Sequence, residues 1–559
     1  MAVDSSTHPN LYGIVDMGSN GIRFSITDLS PETARVMPTV FQDRAAISLY
    51  DAQFSNSNVQ GPIPQDTMIQ VVDQLVQFQA TCEDFGVLAD NIHVLATEAT
   101  RTAPNTQQFR ALIKERTGWE VRLLSKEDEG RIGALGIASS SNSVAGLAMD
   151  LGGGSTQITW VAEKDGIVST SPKGSFSFPY GAAALTKRLE QAKKEGKKAE
   201  KALREEMIEN FQEAYKNLEV PRFTEGPNGP SNLYLCGGGF RGWGYVLMAK
   251  SQINPYPLPI INGFRASRES FHDTASVLGV VSDSDKIFGV SKRRASQIPA
   301  VAFLVNVIMD ALPHITHIQF CQGGVREGFL FDRLPKEVCA QDPVVVATRP
   351  YAPPSADAIR QLLSSALPTS ASSLNSLRSP DSFSDSVIMA LANLLFFHSR
   401  VPRESRPAAA LHSTSAGLLA SVNTISHAER ALIALALCER WTGDLAPIDE
   451  FYRRQLTECI SKKEAWWCRY LGQVATLIGD VYPAGRVPTS TGKIQLETEW
   501  DTITKKKEKR DLLRLRVKCN VKGPLKNEVL PERAKKIEKV GKKKNHIKGY
   551  GVKVEVQVS

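Results

Sequence analysis

Two aspartates that end apolar strands, each followed by a glycine-rich turn, have the clearest chemical potential in this chain. Asp16 stands in IVDMGSNG, and Asp150 stands in MDLGGGSTQ. Glycine lets backbone N–H groups approach an anion closely, and two facing carboxylates can hold Mg²⁺ through water. A third turn, at 237–239, also follows an apolar strand. One such turn would be weak evidence, but three of them favour a site that binds phosphate groups.

Glu129 in KEDEG and Arg101 in ATEATR are the candidates for chemistry on a bound phosphate. Hydrolysis of a phosphoanhydride needs a carboxylate that deprotonates water and a cation that neutralises the phosphates. We expect Glu129 in the first turn of a helix, where the helix dipole keeps it ionised. Taken alone, KEDE is usually an acidic helix start, and Arg101 is usually a surface or salt-bridge residue. Their order relative to the glycine turns is what favours the functional interpretation.

The elements that position these residues alternate between strands and helices as far as residue ~335, which predicts an α/β fold. Lys187–Lys216 is charged throughout and is expected to be a solvated helix. Helical spacing dominates from ~355 to ~485, and strand-like stretches enclose a lysine-rich middle after ~490. Strands are predicted on both sides of Met17–Gly21, in NIHVLATEATR, in EVRLLS and beside the turns at 150–156 and 237–239. Helices are predicted at 65–86, before Gly118, and from Ser125 to Ser139.

The composition is that of a globular protein with several cores. The 559 residues are 42% apolar and 23% charged, and a chain of this length is expected to form about three to four domains. No run of about 18 apolar residues predicts a membrane-spanning helix, and MAVDSSTHPN lacks the regions of a signal peptide. The eight scattered cysteines are expected to be reduced thiols. We therefore expect a protein of the cytoplasm, and also of the nucleus.

Charge is distributed unevenly along the chain. Residues 501–559 contain 19 Lys and Arg against 7 Asp and Glu, a net of +12, while the whole chain nets +8, so the first 500 residues net −4. The basic region can be a solvated tail, a nuclear-localisation segment or a surface for an acidic partner. Its scarcity of aromatic residues argues against a stacking platform for single-stranded nucleic acid.

The chain resembles the Ppx/GppA family, which contains exopolyphosphatases and guanosine pentaphosphate phosphatases. The resemblance implies two actin-like lobes (ribonuclease H-like, ASKHA superfamily) at 1–145 and 146–335, then an all-helical HD-like domain at 355–488 and a basic tail at 490–559. A fungal branch that regulates signalling from mitochondria to the nucleus is the most similar. Six motifs carry the resemblance: IVDMGSNGIRFSI, ATEATR, LLSKEDEGRIGALG, MDLGGGSTQI, LCGGG and GGVREGFLFD.

The resemblance also implies roles for residues at matching positions. It implies that Glu129 is the catalytic glutamate, that Arg101 contacts phosphate, and that Asp16 and Asp150 bind Mg²⁺. The residues implied to bind phosphate or nucleotide are Gly18, Ser19, Asn20, Gly152, Gly153, Gly154, Ser155, Thr156, Gln157, Gly237, Gly238 and Gly239.

Two departures from the family pattern shape the functional prediction. The family generally reads GGGSTE where this chain has Gln157. The missing carboxylate predicts weaker Mg²⁺ binding, less repulsion of a polyanion, and slow or absent hydrolysis. His398, His412 and His427 are not followed by aspartate, so we expect a helical docking surface without a metal in the HD-like domain.

The sequence leaves three functions open. The first is a regulator that binds a phosphorylated nucleotide or polyphosphate and relays its state to protein partners in a signalling pathway. The second is an active exopolyphosphatase or nucleotide phosphatase, and the third is a scaffold with an empty cleft. Members of the family often dimerise, but the sequence leaves the oligomeric state open, and no membrane partner is expected.

Overall fold

The computed structural model describes residues 8–55, 60–141, 143–164, 166–221, 231–283, 286–368, 381–488, 492–505 and 508–559. The first seven residues, on which the signal-peptide expectation partly rests, lie outside this set. The chain divides into two compact units, unit 1 of residues 1–252 and 260–343 and unit 2 of residues 253–259 and 344–559. Among the described residues, no helix combines the length and the apolar character needed to cross a membrane.

Two sheets form the frame of unit 1. Their strands are β1 Leu11–Gly18, β2 Gly21–Asp28, β3 Thr39–Ala45, β4 Ile92–Ala96, β5 Val121–Leu123, β6 Ala145–Leu151, β7 Thr156–Lys164, β8 Ile167–Thr170, β9 Phe176–Phe178, β10 Asn232–Cys236, β11 Arg265–Ser267 and β12 His317–Phe320. The first sheet has the order β3–β2–β1–β4–β5, and the second has the order β11–β12–β10–β6–β7–β8 with β9 paired to β7. Each sheet combines an antiparallel hairpin with parallel strands, which confirms the predicted strand–turn–strand units.

The helices of unit 1 connect and cover these strands. They are α1 Leu49–Gln53, α2 Gln65–Asp84, α3 Glu98–Arg101, α4 Thr106–Thr117, α5 Lys126–Ser139, α6 Ala182–Glu195, α7 Lys197–Asn217, α8 Gly238–Lys250, α9 Arg268–His272, α10 Thr274–Asp283, α11 Lys292–Ala311, α12 Val325–Phe331 and α13 Lys336–Cys339. The predicted ends of α4 and α5 are confirmed. Gly118 ends α4 with a φ of 75°, and the Ser125 hydroxyl caps α5 by accepting a bond from the amide of Asp128 at 3.0 Å.

The charged segment Lys187–Lys216 differs from the predicted solvated helix. It is divided between α6 and α7 at Gly196, whose φ of 105° favours glycine. Leu203, Met207 and Phe211 recur at helical spacing on α7 and are buried, and α7 packs against α11. The prediction of a solvated helix was wrong because the lysines and glutamates outnumber the apolar residues of one narrow stripe. That stripe is buried only because α7 packs against another helix.

Helices α5 and α12 approach each other so closely that their contact fixes the direction of α5. A methyl group at Gly136 would lie 2.3 Å from the carbonyl oxygen of Gly324, and one at Gly328 would lie 1.8 Å from that of Ile132. The surrounding core takes residues from both sheets. The start of α5, where Glu129 lies, is thereby held in register with the ends of the strands.

Unit 2 combines helices with a three-stranded sheet. Its helices are α14 Pro343–Thr348, α15 Ala356–Ser365, α16 Asp385–Leu394, α17 Arg406–His412, α18 His427–Arg440, α19 Pro447–Glu458, α20 Lys462–Val481 and α21 Leu530–Val540, and its strands are β13 Ile494–Lys505, β14 Glu508–Cys519 and β15 Lys553–Val558. Strands β13 and β14 are antiparallel, and β14 and β15 are parallel. The predicted helices between ~355 and ~485 are confirmed, while the likeness to an HD domain stays a prediction.

The described part of the basic C-terminal region is folded, unlike a solvated tail. Helix α21 buries apolar residues along one side. On the sheet, Arg516 and Lys518 of β14 each lie 2.5 Å from a carboxylate oxygen of β13, on Glu499 and Glu497 respectively. Part of the basic charge is therefore paired across the hairpin. Lysines 506–507 lie outside the described residues.

Substituting Ala for Gly136 is expected to destabilise unit 1 by about 1–3 kcal/mol, because the new methyl group would overlap the backbone of Gly324. Gly133 on the same helix is a matched control, since nothing lies within 4 Å of a methyl group there. Gly133→Ala should be neutral or stabilising by up to ~1 kcal/mol. Urea unfolding of both variants measures the difference, and equal unfolding midpoints would contradict the helix contact.

Candidate functional site

The first hairpin, β1–β2, turns through Ser19 and Asn20 and sets Asp16 opposite Arg23. Asp16 is buried, and its carboxylate lies 3.7 Å from Nη1 of Arg23. Burial raises the pKa of Asp16, whereas Arg23 and Arg326 lower it. The end of β1 thus holds a carboxylate whose burial is only partly compensated by neighbouring cations.

The second hairpin, β6–β7, sets Asp150 opposite Gln157, and the parallel register with β10 places Cys236 beside it. The Cys236 thiol donates to Asp150 at 3.4 Å. Burial raises the pKa of Asp150, the bond from Cys236 and the charge of Arg23 lower it, and the charge of Asp16 raises it. The two strand-end aspartates are therefore close enough to interact electrostatically.

The loops of the two hairpins touch each other at glycines. A methyl group at Gly153 would lie 2.4 Å from Cγ of Asn20, and one at Gly154 would lie 2.3 Å from Oε2 of Glu98. Neither position has room for a Cβ. The glycines of the second loop therefore permit contact with the first hairpin and with the start of α3.

The third turn brings the start of α8 to the same cleft. Gly237 has a φ of +88°, and a methyl group there would lie 2.3 Å from Oδ1 of Asp150. Gly238 lines the cleft beside it. Gly239 instead packs inward, since a methyl group there would lie 2.4 Å from Cδ2 of Leu151.

Glu129 lies in the first turn of α5 and is held from one side by Arg101. Nη1 of Arg101 donates to Oε2 of Glu129 at 3.1 Å and to the carbonyl oxygen of Leu124 at 2.5 Å. Burial raises the pKa of Glu129 to about 7, Arg101 lowers it, and the charges of Asp150 and Glu98 raise it. Burial thus outweighs the helix dipole from which the sequence predicts an ionised Glu129.

Gln157 holds the other oxygen of the same carboxylate. Its Nε2 donates to Oε1 of Glu129 at 3.4 Å and to Oγ of Ser155 at 2.8 Å. A glutamate at this position would accept hydrogen bonds and add a negative charge. The amide of Gln157 therefore donates a hydrogen bond to Glu129, the glutamate that the resemblance implies to be catalytic. An ionised carboxylate at position 157 could not donate one.

Most residues predicted for the site line one cleft of about 1050 Å³. Those that line it are Asp16, Gly18, Ser19, Asn20, Glu129, Asp150, Gly152, Gly153, Ser155, Gly237 and Gly238. Those that do not are Arg101, Gly154, Thr156, Gln157 and Gly239. Arg101 contacts the lining residue Glu129, and Gln157 contacts Glu129 and Ser155. Thr156 is buried, and its hydroxyl donates to the carbonyl oxygen of Tyr180 at 3.1 Å.

The sequence analysis missed the arginines that line this cleft, which are Arg23, Arg44, Arg241, Arg293 and Arg294. Burial, together with the charges of Arg23 and Arg294, lowers the pKa of Arg241 to about 10. Burial likewise lowers the pKa of Arg294 to about 10, with contributions from Arg44 and Arg23. The cations repel one another, and a bound polyanion would relieve that repulsion.

Signals for some of these arginines were present in the sequence. Arg241 stands two residues after the triple glycine in GGGFRGW, within the first turn of a predicted helix. Arg293 and Arg294 stand together at the start of α11. No motif in the sequence pointed to Arg44, because β3 reaches the site only through its pairing with β2.

Arg293 also joins α11 to the first hairpin. Its Nη2 donates to Oδ1 of Asn20 at 2.6 Å and to the hydroxyl of Ser48 at 2.8 Å, and it pairs with Asp51 at 2.7 Å. One side chain thus bridges the elements on either side of the cleft.

Two family models match the chain along almost its whole length. The Ppx/GppA phosphatase family model matches residues 26–337, and the RTG2 C-terminal domain model matches residues 342–559.

Individual proteins are similar to the chain over the same parts. Retrograde regulation protein 2 of Saccharomyces cerevisiae is 38% identical over 518 residues, which cover 89% of this chain and 85% of that protein. Exopolyphosphatase 1 of Mycobacterium tuberculosis is 25% identical over 331 residues, 58% of this chain and 88% of that protein. The crystal structure of the Aquifex aeolicus Ppx/GppA family member matches with a TM-score of 0.45 and 19% identity, covering 58% of this chain and 98% of that one.

Replacing Glu129 with Gln is expected to remove a pH-dependent cost of folding. The pKa of Glu129 is about 7 in the folded protein against an ordinary 4.5. The carboxyl of Glu129 therefore binds a proton more tightly in the folded state than in the unfolded state. Its contribution to the free energy of unfolding is complete below the pKa of the unfolded state, and it is lost as the pH rises through the pKa of the folded state. Near pH 8.5, Glu129→Gln should melt ~2 °C or more above wild type.

Thermal melts across pH measure this effect, with the exposed Glu127→Gln as the control. Near pH 5 the Glu129→Gln and wild-type melting temperatures should differ by no more than about 1 °C. A gap that stays constant over the whole pH range would show that Glu129 has no raised pKa.

Proposed function

The chain belongs to the Ppx/GppA phosphatase family, and from that membership we propose that it is a regulator that binds a phosphorylated nucleotide or polyphosphate and hydrolyses it slowly or not at all. One observation carries the proposal: the amide of Gln157 faces the carboxylate of Glu129 beside a cleft lined with arginines. The cations account for binding, and the amide accounts for the slow reaction.

The charge of the cleft supports an anionic ligand. Five arginines line it against the carboxylates of Asp16, Glu129 and Asp150. Arg44 and Arg294 donate to the carbonyl oxygens of Asn20 and Gly289, and neither has an ion-pair partner among the described residues. Phosphate oxygens would supply the missing negative charge and match the guanidinium geometry.

The surroundings of Glu129 support weak catalysis. A general base must be ionised and must accept a proton from the water it activates. Here one carboxylate oxygen accepts from Arg101 and the other from Gln157. A donor at position 157, where the family has a carboxylate, would lower the basicity of Glu129 toward water and would slow hydrolysis.

Mg²⁺ is proposed as a weakly held companion of the ligand. Asp16 and Asp150 both line the cleft, and burial raises both pKa values. Two carboxylates together with phosphate oxygens and water suit this ion. When bound, Mg²⁺ would neutralise phosphate charge, and Gln157 in place of a carboxylate would weaken its binding.

The proposed signalling role draws on the relative from Saccharomyces cerevisiae, whose name is Retrograde regulation protein 2. We propose that this chain acts in mitochondria-to-nucleus signalling of a fungal cell, in the cytoplasm and the nucleus. Protein partners would read the liganded state, with the helices of unit 2 as an HD-like docking domain without a metal. An acidic partner would suit the basic C-terminal residues, and a homodimer belongs to the same proposal.

An active phosphatase is the alternative, and a specific observation favours it. Arg101 and Glu129 are paired at 3.1 Å, and Asp16 and Asp150 line the same cleft. The mycobacterial relative is also named an exopolyphosphatase. A scaffold with an empty cleft is the third candidate, and the arginines without ion-pair partners argue against it.

Gln157→Glu is expected to raise the rate of phosphate release from polyphosphate and guanosine pentaphosphate by at least about tenfold, because it restores a carboxylate for the metal and water. A colorimetric phosphate assay with Mg²⁺ measures the rate. The double variant Glu129→Gln, Gln157→Glu should lose the gain. Equally fast turnover in wild type and Gln157→Glu would establish the phosphatase instead.

Removing two cleft cations is expected to weaken ligand binding. Arg241→Gln combined with Arg294→Gln should raise the Kd for ATP, GTP or short polyphosphate by more than about tenfold, since two charge-assisted contacts are lost. Calorimetry measures the Kd, and Arg116→Gln on the exposed face of α4 is the control. Absence of binding to the wild-type chain would favour the scaffold.

A further inference from the structure

A groove in unit 2 is separate from the cleft considered so far. It consists of two recesses of about 700 and 600 Å³. Helices α18, α19 and α20 and the segment after α21 line both recesses, and α21 also lines the second. The recesses adjoin each other, because Glu439, Arg453 and Arg469 line both.

Most of the charged residues that line this groove are cationic. Its cations are Arg453, Arg454, Arg469, Lys536, Lys539 and Lys548, against the carboxylates of Glu439 and Glu458. Three of the cations have partners: Arg453 pairs with Glu450, Lys536 with Glu532, and Lys548 with Glu458. Within the described parts of the chain, Arg454, Arg469 and Lys539 form no ion pair. Burial also lowers the pKa of Arg469. The groove therefore has cations available for an anion.

A buried acceptor without a partner lies in the same lining. Gln473 is 7% exposed, and its Nε2 donates to Oε1 of Glu439 at 2.6 Å. Its Oε1 has no hydrogen-bond partner among the described residues. An unsatisfied buried acceptor costs stability, and a hydroxyl of a bound molecule would satisfy it.

We infer that this groove binds a small phosphorylated sugar or polyol. Its phosphates would lie on Arg454, Arg469 and Lys539, and one of its hydroxyls would donate to Oε1 of Gln473. The floor contains buried apolar side chains of α18 and α20, including Leu435 and Ala465, on which the C–H face of a ring can pack. This site does not depend on the function proposed for unit 1.

The shape and chemistry of the lining favour a small ligand over a nucleic acid or a membrane. Among the described residues, no lining residue is aromatic, so bases would find nothing to stack on. The described lining also has no exposed apolar side chain that could insert among lipids.

Calorimetry on the full chain tests the inference with two probes: inositol 1,4,5-trisphosphate, which has phosphates and hydroxyls, and tripolyphosphate, which has no hydroxyl on carbon. Arg454→Gln with Lys539→Gln should weaken trisphosphate binding by more than about tenfold. The matched control, Lys543→Gln with Lys544→Gln, removes the same charge from exposed lysines outside the lining and should leave the Kd within about twofold.

Two further variants separate this site from unit 1 and isolate the acceptor. Arg241→Gln with Arg294→Gln removes two cations of the unit 1 cleft, where both anionic probes can bind, so the groove variants are also measured in this background. Saturable trisphosphate binding should persist there. In the same background, Gln473→Leu should weaken binding of the trisphosphate more than binding of the tripolyphosphate, and a general folding defect would not change that ratio. Three results would overturn the inference. They are no saturable binding of the trisphosphate, an equal loss of affinity in the Lys543 and Lys544 control, and tighter binding of duplex DNA or anionic vesicles than of the trisphosphate.

Discussion

The two hairpins of unit 1 can meet across a cleft only where side chains are absent. At Gly153 and Gly154 of the second loop, a Cβ would overlap Asn20 and Glu98. At Gly237 it would overlap Asp150. Gly153 and Gly237 also line the cleft, and without a Cβ their backbone can approach an anion more closely than a residue with a side chain could. These contacts bring together the strand ends that carry Asp16 and Asp150.

The charged groups are sorted by the elements that present them. The carboxylates of Asp16 and Asp150 lie at strand ends, and Glu129 lies at the start of α5. Arg241 and Arg294 come from the first turns of α8 and α11. The strand ends and the start of α5 thus present carboxylates, and the starts of α8 and α11 present arginines. An anionic ligand in the cleft would therefore meet positive and negative groups at fixed positions. Gln157 changes the charge and the hydrogen bonding beside Glu129, and the strands and helices that present the other charged groups do not depend on it.

Sequence reasoning predicted the parts of the fold that local pattern determines. The hairpin around Met17–Gly21 and the cap at Ser125 follow from turn chemistry and capping preference, and both are present. The stripe of Leu203, Met207 and Phe211 was missed because its burial depends on packing against α11. Pairing of β13 with β14 was equally invisible, since charges on separate strands look unpaired along the chain.

The same limit applied to the candidate site. Asp16, Asp150 and Glu129 were predictable because each belongs to a recognisable motif. Arg44 was not, because it reaches the cleft only through the pairing of β3 with β2. The pKa of Glu129 could not be predicted either. It depends on burial and on Asp150 and Glu98, which are distant in sequence from the helix start, and a helix-dipole argument considers none of these.

Arg293 has a consequence for the timing of events in the cleft. It is bonded to Asn20 and Ser48 and paired with Asp51, so widening the mouth of the cleft breaks several polar contacts at once. A ligand whose release required this opening would leave at a rate set partly by the bridge and partly by its own contacts. The occupied state would then have a lifetime long enough for a partner to encounter it.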